Sequence, residues 1–127
     1  MVKKVLWPLV CLLCATAWGA EVVDITVELT VPDAAWTIAI DEVHKVGDEL
    51  WVVSTVSRDP EIMGAQVIST VRASLKLDAP DLPVKHFVMG KSWNWQNQEP
   101  YVFIRQAVQI QGDLQSGELL YRRRRNE

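Results

Sequence analysis

Val23, Ile25, Val27, Leu29 and Val31 alternate with Asp24, Thr26, Glu28 and Thr30. A period of two is the spacing of a strand with one face buried and the other in water, so this run commits the chain to a sheet. Composition points the same way: residues 21–127 hold 27 Val, Ile and Thr against 15 Ala and Leu, the balance of strand over helix formers. No ten-residue stretch carries an amphipathic helical pattern.

Six further strands are expected. Trp36, Ile38 and Ile40 alternate with Thr37, Ala39 and Asp41, and a third strand starts near Glu49. Lys45 to Asp48 supply turn chemistry around Gly47, which joins these two as a hairpin. Leu50 to Val56 is apolar on both faces except for Ser54 and Thr55, as in a central strand. Ala65 to Leu77 is long enough to need a bulge or bend near Ser69. Val84–Met89 and Tyr101–Ile104 follow, Arg105 to Gln111 fits either a strand extension or a helical turn, and Gly117–Tyr121 closes the sheet. The fold class expected is all-β: about seven strands in an antiparallel sandwich of immunoglobulin-like layers, with a small open β-barrel as the alternative. Prolines 32, 60, 80, 83 and 100 punctuate the strands.

Residues 1–20 read as an export signal: Lys3 and Lys4 form a basic start, Val5 to Cys14 an apolar stretch, and Ala15, Thr16, Ala17, Gly19 and Ala20 a small-residue run suited to cleavage. The domain plan is therefore a signal peptide at 1–20, one β domain at 21–121 and a basic tail at 122–127. A secreted or periplasmic location follows. Cys11 and Cys14, the two cysteines of the chain, fall in the leader, so the exported part has no thiol for disulfides or nucleophilic catalysis. Apolar burial has to hold it together, which a domain of this size can achieve.

Charge narrows the partners. Residues 21–127 carry 11 Lys and Arg against 16 Asp and Glu, and four of those arginines, Arg122 to Arg125, sit in the tail. The acidic body repels a phosphate backbone, so nucleic acid is not an expected partner. Membrane contact is expected only through the leader or the arginine tail.

The chemistry-bearing residues are sparse. His44 and His86 are the histidines available as neutral-pH bases, and Ser54, Ser57, Ser69, Ser74, Ser92 and Ser116 lie in no glycine-rich elbow. Asp41, Glu42, His44 and Asp48 gather near the hairpin but match no ion-binding loop, and Asp78 with Asp81 sits in a proline-flanked connector. No two glycines are adjacent, so no phosphate-cradling loop exists. No catalytic residue, metal or cofactor is assigned. A small hydrolase using His44 or His86 stands as a second alternative.

The most unusual segment is Trp93-Asn94-Trp95-Gln96-Asn97-Gln98. In an extended chain Trp93 and Trp95 face one way and Asn94 and Gln96 the other, a combination of aromatic surface and amides suited to a peptide or a sugar. The competing structural role is for the indoles to fold back and cap the core. Trp36 and Trp51, inside strands, are expected in the core. The Arg-Pro-Trp and glycine-rich loop signals of exported protease-inhibitor sandwiches are missing. The function expected is a non-enzymatic exported module binding another protein through end loops, inhibitor-like or an envelope assembly factor, with Trp93, Asn94, Trp95, Gln96 and Asn97 as the contacts. Carbohydrate or cell-wall binding through the same loop is the first alternative.

Overall fold

A computed structural model describes residues 21–62 and 66–124; the expected signal peptide, Met63 and Arg125 lie outside these. Seven strands form in chain order: β1 Glu21–Val31, β2 Trp36–Val46, β3 Glu49–Arg58, β4 Ser69–Ala79, β5 Val84–Met89, β6 Val102–Ile104 and β7 Glu118–Arg122. They make a sandwich of two sheets, one of β1 and β4 and one in the order β6-β5-β3-β2-β7. The all-β sandwich is therefore the fold, and it does not close into a barrel.

Between the sheets lies the main core. The alternating side of β1 supplies Ile25, Val27, Leu29 and Val31, while β2 supplies Trp36, Ile38, Ile40 and Val43, and β3 supplies Val52 and Val56. Val27, Leu29 and Val31 are fully sealed. Each such side chain contributes about 1.5–3 kcal/mol over its exposed state, which is how a thiol-free domain is stabilised.

β2 and β3 form the expected hairpin, and β3 is central. The pairing differs from the expected antiparallel pattern on one side of β3: β5 runs parallel to β3, and β6 parallel to β5. Parallel neighbours need a crossover, normally a helix. Here β4, lying in the opposite sheet, takes the chain back for the first crossover, and residues 90–101 make the second. The proline-rich turn after β4 delivers the chain beside the start of β3, where Leu50 N donates to Pro83 O at 2.8 Å.

The larger sheet is covered on its other face too. Trp51, Val53, Phe87 and Ile104 pack there against Ile110 and Leu114. The last two come from the region of a 3₁₀ turn, Ala107–Gln109, and a short helix, α1 Gln111–Ser116. The ambiguous stretch after Arg105 thus resolves as a helical cover, entered where the Gln109 side-chain oxygen accepts from the backbone N–H groups of Arg105 and Gln106. Helical periodicity is too short there to read from sequence, because Ile110 and Leu114 are its buried residues.

β4 begins at Ser69 and pairs with β1 in continuous register to Ala79, so the expected bulge is not in this pairing, and Val67 and Ile68 are left exposed before it. A bulge sits instead in β2, between Ile40 and Glu42. Two arginines of the expected tail belong to the sheet. Arg122 ends β7, and Arg123 N donates to Asp41 O at 2.8 Å, which extends the pairing alongside β2.

Two glycines with positive φ test the tightness of these connections. Gly47, at φ +59°, has open space where a Cβ would stand; Gly90, at φ +99°, has the Val56 carbonyl there. Gly47→Ala is expected to cost about 1–2 kcal/mol, the left-handed penalty alone. Gly90→Ala adds a backbone collision and is expected to cost about 2–5 kcal/mol. Urea unfolding midpoints of the two variants would measure the difference.

Candidate functional site

The 90–101 segment is placed by the crossover it performs. To return from the end of β5 to the start of β6 it has to run along the inner layer, beside β1. Among the described residues no strand pairs with the outer edge of β1, and side chains of the segment take up the exposed backbone. Thr30 N donates to Glu99 Oε2 at 2.9 Å, Glu28 N donates to Tyr101 Oη at 3.2 Å, and Asn97 Nδ2 donates to Thr30 O at 2.8 Å. Orphaned backbone donors beside an apolar core would each cost a desolvation penalty, so these contacts fix the loop in one position.

Asn97 is the hub. It is buried, and besides Thr30 it donates to Glu99 Oε1 at 3.0 Å and accepts from Trp93 Nε1 at 2.8 Å. Burial pushes the Glu99 carboxyl upward, but the hydrogen bonds from Asn97 and Thr30 outweigh it and hold the group below the usual glutamate range. Glu99 is therefore a fixed carboxylate at neutral pH.

Trp93 meets Trp36 edge to face, with centroids 5.0 Å apart and an interplanar angle of 83°. That is a favoured aromatic geometry, and it places Trp93 on the main core. Lys91 Nζ lies 5.7 Å from the Trp93 ring centroid and 4.8 Å from that of Phe103. Trp95 rests on Trp93 at 5.5 Å and keeps part of its ring in solvent. The alternation expected of the segment is present: Asn94, Gln96 and Gln98 are exposed, while Trp93, Trp95 and Asn97 turn inward to different depths.

Trp95, Gln96, Gln98, Glu99 and Thr30 line a groove of about 500 Å³. Of the five expected contact residues, Trp95 and Gln96 are in it. Trp93 and Asn97 are committed to holding the loop, and Asn94 is exposed but does not line the groove. Gln98 is one step further along the same alternation and is legible from it. Thr30 and Glu99 are not, because their meeting depends on a contact across 69 positions of sequence.

A second groove, of about 700 Å³, opens on the helical side and is lined by Asp41, Glu42, Thr55, Met89, Arg122 and Arg123. The β2 bulge brings Asp41 and Glu42 there together. Their charges are already matched: Arg123 Nη2 is 2.9 Å from Asp41 Oδ1, and Arg122 Nε is 3.2 Å from Glu42 Oε2. His44 Nε2 also bonds Glu42 Oε1 at 2.7 Å, and Thr55 Oγ1 donates to Asp41. Burial raises the Glu42 pKa, but the bond to His44 and the charge of Arg122 more than offset it and leave the carboxyl below its usual range. A charged ligand would have to break these pairs, whereas the Trp95 groove presents aromatic surface and exposed amides. Asp48 is apart, exposed in the hairpin turn.

The two histidines lie on opposite faces of the larger sheet. His44 faces the helical side, while His86 is on the inner side, its ring 4.7 Å from that of Tyr101. Ser54 is fully sealed in β3. Among the described residues no group of three or more His, Cys, Asp or Glu is placed to hold a metal ion.

Asn97→Ala removes three hydrogen bonds and is expected to cost about 2–3 kcal/mol, against less than about 0.5 kcal/mol for the exposed Asn94→Ala; chemical denaturation measures both. His86 gives a pH signature. Burial lowers its pKa below 6.5, so the unfolded chain takes up a proton that the folded one refuses. Its contribution is complete above about pH 6.5 and is lost as pH falls from there toward the lowered folded value. His86→Phe keeps a ring against Tyr101, and its thermal midpoint is expected to fall less than that of the parent between neutral pH and pH about 5.5. No protein family, characterised protein or solved structure matches this chain.

Proposed function

We propose that this chain is an exported, non-enzymatic binding module that takes an extended segment of another protein into the groove beside Trp95. The observation that carries the reading is the combination at that groove: a half-open indole, two exposed glutamine side chains and a fixed carboxylate. An indole offers large contact area with little side-chain entropy to lose, and glutamine amides both donate to and accept from peptide groups. The loop beneath them is immobilised by Asn97 and Trp93, so little ordering cost remains for binding.

An indole beside amides and a carboxylate also suits a sugar ring, and the two ligand classes separate experimentally. Peptides selected against the protein by display are expected to quench its tryptophan fluorescence saturably. Trp95→Ala is expected to weaken them by roughly 30-fold, a hot-spot-sized loss, while Gln98→Ala weakens them less. The thermal midpoint of each variant checks that the fold is retained. Saturable quenching by soluble oligosaccharides, with no peptide selected, would move the reading to carbohydrate binding. Selected peptides that bind Trp95→Ala as well as the parent would overturn the groove assignment.

A further inference from the structure

The second edge of the smaller sheet, along β4, is open over its whole length among the described residues. Glu28 and Thr30 turn their backbone groups away from β4, toward the loop. Their partners in the antiparallel register are Arg72 and Thr70, so the same geometry turns the N–H and C=O groups of Thr70, Arg72, Ser74, Lys76 and Asp78 away from β1. Among the described residues no strand pairs with them. β4 is 11 residues long and has neither proline nor register shift. The other edges are shorter or partly taken up: β1 has loop side chains on Glu28 and Thr30, β6 is 3 residues long, and β7 is 5 residues long with a register shift against β2. On the inner face of β4, Val71, Ala73, Leu75 and Leu77 pack on the core yet stay partly exposed.

We infer that β4 pairs with β4 of a second copy, antiparallel about a two-fold axis at Leu75, to make a four-stranded sheet β1-β4-β4-β1. Charge selects that register. Pairing about Ser74 would set Arg72 against Lys76 of the other copy, like charges facing each other twice. Pairing about Leu75 sets Arg72, which already meets Glu28 on its β1 side, between that carboxylate and Asp78 of the other copy, and sets Ser74 against Lys76, each twice, with Leu75 on Leu75 and Ala73 on Leu77 beneath. Opposite charges directly across a pair of strands are favourable and like charges are not. The even-numbered residues facing each other in this register are also the ones whose backbone groups point outward, so about eight inter-chain hydrogen bonds form. The Trp95 groove lies on the other edge of β1 and stays open, so a dimer carries two grooves on one sheet.

Sedimentation velocity of the purified full chain across a concentration series tests the dimer. The expected result is a monomer–dimer equilibrium that Asp78→Lys shifts at least about tenfold toward monomer, because the substitution sets like charges against each other at both Arg72 contacts. Exchanging the charges, Arg72→Glu together with Asp78→Lys, and with Glu28→Lys so that the pair Arg72 makes with Glu28 inside its own sheet is kept in reverse, is expected to restore it. These side chains are on the solvent face, so circular dichroism is expected to be unchanged. Independently, Leu75→Cys, in a background of Cys11→Ser and Cys14→Ser, is expected to cross-link on oxidation, since facing residues of this kind bring Cα atoms to about 4.5 Å. A monomer at all concentrations would overturn the inference. So would a dimer that ignores Asp78→Lys and leaves Leu75→Cys uncross-linked.

Discussion

Beside Glu28 and Thr30, where a neighbouring strand would pair with β1, side chains stand in for one. Glu99, Asn97 and Tyr101 supply the acceptors and donors that a ladder would otherwise provide. This substitution holds the 90–101 segment rigidly against the sandwich without making it a strand. It also widens the inner layer enough to cover the β5 side of the larger sheet. Because side chains do the anchoring, the backbone of the segment can turn Gln96 and Gln98 outward. The groove exists as a by-product of that arrangement.

The larger sheet divides the molecule into two unequal environments. Toward β1 and β4 it presents a mainly apolar surface, interrupted by Ser54 and His86. Toward α1 it combines a smaller apolar patch with the charged cluster of Asp41, Glu42, His44, Arg122 and Arg123. The bulge in β2 permits this, since it shifts Val43 back to the core while Asp41 and Glu42 share the opposite face. Partly exposed ion pairs of this kind contribute little individually. Their effect is to fasten the end of β7 to β2, so residues expected to be a solvated tail become part of the sheet. In the larger groove polar capacity is satisfied internally; in the smaller one it remains available.

That contrast separates the two surfaces as binding sites more firmly than their volumes do. A ligand in the charged groove competes with arginine–carboxylate pairs of the protein itself, whereas one in the Trp95 groove displaces water from an indole and from glutamine amides. An extended peptide in that groove and a sheet continued through β4 would lie on opposite edges of the same two-stranded layer. Binding and self-association are then compatible, and pairing two grooves raises the effective concentration of each for a partner that repeats.

Alternation and positive φ are properties of neighbouring residues, so the period-two runs alone set the all-β class, locate β1, β2, β3 and β5, and turn a hairpin at Gly47, while the choice of sandwich over open barrel rests on which strands pair. The tryptophan loop stood out as well, since its composition is visible without any fold. Its use was not legible, because that depends on which elements meet. Trp93 turns to Trp36, Asn97 turns to Thr30, and the parallel placement of β5 and β6 forces the crossover that brings them together. Local sequence sets which way a strand's side chains alternate, but it does not encode which strand will run beside it. The edge left open for Glu99 and Asn97, and the one left open on β4, arise from that long-range choice of neighbours.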